Sequence, residues 1–158
     1  MNNKLSFNVT PNTDLTPWLI ESNAGTAPDP EKIVCDFTNM PMNATFEITF
    51  TMTSQNWTFY GNGVEYCGAK SNCQYQLTSS VSKDGQSVTV TISPCSPSYT
   101  LDNTQIMQNL DKPICLPRVT EVSTDPVGFR LVASQNGDNL YLSQDPEVVI
   151  RRPPDGNP

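Results

Sequence analysis

Between residues 44 and 53 the chain reads ATFEITFTMT, with apolar residues at every second position. Phe46, Ile48, Phe50 and Met52 take one face of a strand, and Thr45, Glu47, Thr49, Thr51 and Thr53 take the other, a period of two that no helix uses. One face belongs in a core and the other in water. Two hairpins continue the period. In QYQLTSSVSKDGQSVTVTIS a two-residue turn at Asp84-Gly85 pairs Lys83 with Gln86, Val81 with Val88, Ser79 with Val90 and Leu77 with Ile92, so apolar residues meet on one face. In FRLVASQNGDNLYLS, Asn136-Gly137 supplies the two positive-φ positions of a type I′ turn. That turn pairs Gln135 with Asp138, Ala133 with Leu140, Leu131 with Leu142 and Phe129 with Gln144, and sends Arg130, Val132 and Tyr141 to the opposite face.

Further strands are expected at 4–10, 18–21, 32–38, 57–60, 118–123 and 147–151, with prolines falling between the runs, where they interrupt no ladder. About ten short strands separated by turns predict an all-β fold, an antiparallel β-sandwich of the Ig-like or jelly-roll-like kind. It fills a single domain, 1–150, followed by a Pro-rich tail, 151–158. Residues 101–113 have room for one helical turn. The threonines at 45–53 resemble the Thr arrays of ice-binding surfaces, but the strand propensity of Thr on exposed faces accounts for them.

Charge narrows the function classes. A net charge of −7, with nine Lys and Arg in no stripe, repels phosphate, so neither nucleic acid nor an anionic membrane is an expected partner. No apolar run reaches a membrane span, and the N-terminus has no leader-like core, which predicts a cytoplasmic protein; secretion is the alternative if a leader preceded Met1. In a reducing compartment Cys35, Cys67, Cys73, Cys95 and Cys115 are expected as free thiols. The Cys67–Cys73 spacing is long for zinc and there is no histidine, so no metal site and no cofactor are expected.

Without histidine the usual general base is missing, which argues against an enzyme. A hydrolase built on two carboxylates is the weakest option. Asp102, Asn103, Asp111, Asp125, Asp138 and Asn139 have the oxygen chemistry for Ca²⁺, although turn preferences explain the same residues. In NWTFYGNGVEYCG, Trp57 and Phe59 share the core-facing side, and Tyr60 is expected at the surface near Tyr66, where an exposed ring could stack on a sugar, although packing beneath a loop is the favoured expectation for these aromatics. The candidate ligand-binding residues are therefore Trp57, Tyr60, Tyr66, Asp138 and Asn139. Sequons at Asn8, Asn43 and Asn56 are expected by chance in so Asn- and Thr-rich a chain.

The C-terminal quarter, STDPVGFRLVASQNGDNLYLSQDPEVVIRRPP, and chiefly its QDPEVVIRRP after a hairpin, resembles the end of the bacterial DP-EP family and, more loosely, the PixA/AidA inclusion-body proteins. The resemblance implies a bacterial β-sandwich of undetermined role with no catalytic residues. The expected function is that of a non-enzymatic, self-associating or protein-binding module. A lectin-like carbohydrate or Ca²⁺-dependent binder is the alternative.

Overall fold

The structure, a computed structural model, describes residues 3–14, 16–22, 32–37, 40–41, 44–66, 75–94, 126–144 and 147–151. These residues form ten strands: β1 (Lys4–Thr10), β2 (Leu19–Ser22), β3 (Lys32–Asp36), β4 (Phe46–Met52), β5 (Trp57–Tyr66), β6 (Tyr75–Val81), β7 (Ser87–Pro94), β8 (Pro126–Gln135), β9 (Leu140–Leu142) and β10 (Glu147–Arg151). The first sheet has the order β2-β1-β4-β7-β6; the second has β3-β10-β8-β5, with β9 also on β8. The fold is all-β, two sheets packed face to face. Most pairs are antiparallel, but β1 runs parallel to β4 and β10 parallel to β3. These long-range pairings are set by sheet order, which local turn chemistry does not reveal. No helix of the described residues is long and apolar enough to cross a membrane. The expected strand 118–123 and the helical turn in 101–113 lie outside the described residues, as do Cys67, Cys73, Cys95 and Cys115.

The alternation in β4 is realised position by position: Phe46, Ile48, Phe50 and Met52 are buried and the residues between them are not. Phe50 stacks on Phe7 of the same sheet at 5.5 Å and meets Phe129 of the other sheet edge-on at 5.9 Å. Each fully buried side chain of this size stabilises the sandwich by roughly 1.5–3 kcal/mol. Cys35 is a buried free thiol, and burial pushes its pKa up to about 12.

Register in the β6–β7 hairpin is as predicted, with Leu77 opposite Ile92 and Val81 opposite Val88. Its turn is different. Ser82 N–H donates to Ser87 O (2.8 Å) and Gly85 N–H to Ser82 O (2.9 Å), which makes a four-residue loop and removes the expected Lys83–Gln86 pair. Positive φ occurs at Gly85 but not at Asp84. Asp84 instead accepts from Ser82 Oγ (2.6 Å) and Gln86 N–H (3.0 Å), which holds its carboxyl below the usual range. The loop has a second use: Phe59 N–H donates to Gly85 O (2.9 Å), and Gln86 Nε2 to Trp57 O (2.8 Å), covering the outer edge of β5.

Strand β5 runs past the predicted end at Tyr60. Its pairing with β8 slips between Phe59 and Val64, and Gly61 (φ 62°) and Gly63 (φ 79°) absorb the distortion.

Candidate functional site

The β8–β9 turn has the predicted form but not the predicted register. Asn136 (φ 51°) and Gly137 (φ 76°) occupy the two positive-φ positions, and Asp138 N–H donates to Gln135 O at 2.9 Å. The ladder then advances by one residue, pairing Ser134 with Leu140, Ala133 with Tyr141 and Val132 with Leu142. The expected Leu131–Leu142 pair is thereby corrected: a bulge at Asp138–Asn139 exchanges the faces of β9. Tyr141 turns inward and sets its ring edge-on to Trp57 at 5.2 Å, and Trp57 in turn meets Trp18 at 6.1 Å. Leu140 (51% exposed) and Leu142 (44%) turn outward, beside Val132.

Ser143 fixes this arrangement. Its N–H donates to Leu131 O (3.0 Å), while its hydroxyl accepts from Leu131 N–H (2.8 Å) and donates to Gln144 O (2.7 Å). Residue 143 is thus hydrogen-bonded to β8, and antiparallel alternation makes Tyr141 the next hydrogen-bonded position. The N–H and C=O groups of Leu140 and Leu142 therefore point away from β8, along an edge on which no further strand pairs among the described residues. Gln144 bridges the sheets with its amide: Oε1 accepts from Trp18 N–H and Nε2 donates to Trp18 O, both at 2.9 Å.

The β9 edge opens on a cleft of about 460 Å³. Its other wall is the segment before β2, where Asn12 Nδ2 donates to Pro17 O (3.1 Å) and Asn12 Oδ1 accepts from Asp14 N–H (3.0 Å). The volume falls within the range of ligand sites, roughly 300–1,000 Å³. Arg130 is the charged residue of its rim, an exposed side chain with Glu65 opposite it across the β5–β8 ladder. Among the described residues no cluster of His, Cys, Asp and Glu could hold a metal ion.

The residues singled out from sequence do not converge on this cleft. Trp57 is core (5% exposed), beneath Tyr141. Tyr66 is half-buried, its hydroxyl donating to Leu77 O (3.4 Å), and burial raises its pKa against the opposing hydrogen bond with Ser79. Tyr60 is 56% exposed at the start of the β5 distortion, and Asp138 and Asn139 are exposed at the hairpin tip. Asp102, Asn103, Asp111 and Asp125 lie outside the described residues. Sequence reasoning missed Arg130, Leu140, Leu142 and Gln144; the one signal was Asn139, an extra polar residue after a turn that is already complete at Asp138.

The chain matches no protein-family model and no curated protein.

The threonine face of the first sheet is a weaker candidate. Thr49 and Thr89 hydroxyls lie 3.1 Å apart and those of Thr10 and Thr53 2.8 Å apart, while Lys4 pairs with Glu47 at 3.2 Å. These groups satisfy one another as cross-strand pairs, which is a structural use of threonine.

Proposed function

We propose that this protein is a non-enzymatic β-sandwich interaction module that works by self-association. The observation that carries this reading is the β9 edge: two exposed leucines flanked by outward-facing backbone groups, on a strand, Leu-Tyr-Leu, that has neither the charge nor the proline with which natural sheets normally protect such an edge. Sedimentation equilibrium from about 1 µM to about 1 mM tests it, the range suited to a small interface. Reversible, concentration-dependent mass is expected, and a monomer throughout would refute the reading.

A second reading has one observation in its favour, the ligand-sized cleft with Arg130 on its rim and Tyr141 in its wall. It describes a lectin-like binder that stacks and hydrogen-bonds a sugar. Glycan-array screening with and without Ca²⁺ separates the two, since reproducible sugar binding by the monomer would favour the second.

A further inference from the structure

Resting on the self-association reading, we infer that the interface is an antiparallel pairing of β9 with β9 of a second copy, related by a two-fold axis at Tyr141. In that register Leu140 of each copy lies opposite Leu142 of the other. The outward N–H and C=O groups of Leu140 and Leu142, left over by the β8–β9 ladder, then bond to their counterparts, because a hydrogen-bonded antiparallel pair exchanges both bonds. The leucines of both copies close over one another on the outer face and extend the Val132–Leu142 contact into an apolar patch.

Charge placement selects this partner and this direction. The two ends of the hairpin are unlike: Asp138 is exposed at the turn, and Arg130 is exposed on β8 at the far end of β9. A two-fold pairing sets the Asp138 end of each copy beside the Arg130 end of the other, giving two equivalent attractions across the interface. A parallel pairing would align like charges. Arg130 also neighbours Glu65 within its own copy, and the chain carries −7 overall, so self-repulsion opposes the contact and a short edge adds little area. The association is accordingly weak and strengthens with salt until the local pairs are screened as well.

The test uses Arg130→Glu and Asp138→Arg, both at exposed positions, with Leu142→Pro. A proline here removes an N–H that faces the free edge, which an edge strand tolerates. Each single charge variant should associate at least about tenfold more weakly than the parent, a difference of about 1.4 kcal/mol. Mixing the two charge variants should restore association, because their mixed dimer again sets opposite charges together at both ends. Leu142→Pro should remain folded and monomeric. If the parent associates but all three variants match it and the mixture gains nothing, this interface is overturned while self-association stands. If the parent is monomeric at about 1 mM, both fall. Hydrogen exchange supplies an independent measurement: protection of the Leu140 and Leu142 amides should rise with protein concentration. Protection that is full at every concentration would mean that the chain's own residues cover the edge, and would overturn the proposal.

Discussion

Replacing Gly63 by alanine separates two costs that glycine avoids. The first is conformational: φ is 79°, where an L-residue loses roughly 1–2 kcal/mol, partly offset by about 0.4–1 kcal/mol from a stiffer unfolded chain. The second is steric. A Cβ at Gly63 would stand 2.6 Å from Val88 Cγ2 and 2.9 Å from Val81 Cγ2, closer than carbon atoms approach. Val88 is fully buried and, being β-branched, is stiff at χ1, so it cannot swing aside without disturbing the sheet. Overpacking of this kind costs typically 1–3 kcal/mol. The total for Gly63→Ala is on the order of 2–4 kcal/mol. Gly61 and Gly137 are the controls, with φ of 62° and 76° and nothing within 4 Å of an added Cβ. Their alanine variants carry the conformational cost alone, about 1 kcal/mol. Urea midpoints at unchanged m measure all three. In the Gly63→Ala background, Val88→Ala should cost at least about 1 kcal/mol less than in the parent, since it removes the clashing methyl. Equal losses at the three glycines, or an additive double variant, would refute the steric account.

Two other predictions concern the sheet bridge and the buried thiol. Gln144→Ala strips Trp18 of partners for both its N–H and its C=O and should cost about 1–3 kcal/mol in a urea titration, with Gln144→Glu, which keeps an acceptor for the N–H, falling between it and the parent. A loss below about 0.3 kcal/mol would mean that water replaces the amide without penalty. For Cys35 the folded pKa of about 12 lies above the ordinary 9.0, so its contribution is complete below pH 9.0 and is lost as pH rises toward 12, by up to about 1.4 kcal/mol per pH unit. Tyr66 is shifted in the same direction, so the quantity to compare is the slope of stability between pH 9 and 11 in the parent and in Cys35→Ala; identical slopes would count against the shift.

Where the apolar residues all lay on one parity, the sequence was readable. Strand β4 and the β6–β7 hairpin each offer a single face worth burying, so their register follows whichever turn geometry closes the loop, and it survived an error in the turn itself. The β8–β9 hairpin offered two. Burying Leu140 and Leu142 would satisfy the pattern, yet burying Tyr141 and Ser143 is what occurs, and the choice is settled by groups remote in sequence. Trp57 and Trp18 leave a space that an aromatic edge fills, Ser143 supplies the acceptor that Leu131 N–H needs, and Gln144 reaches a backbone segment 126 residues away. The Ser143–Leu131 bond lies within a window of fifteen residues, but the two tryptophans and the Gln144 bridge that decide between the faces do not. The same bulge that satisfies the interior is what places two leucines outside. The candidate edge is therefore a consequence of core packing, and a variant that filled the core without Tyr141 would be expected to reset the register and withdraw the edge. Tyr141→Leu tests that coupling: if it shifts the pairing to Leu131–Leu142, seen as cross-strand contacts by NMR, self-association should disappear with it. Retention of association in a register-shifted hairpin would separate the edge from the bulge and sink the link between core packing and self-association.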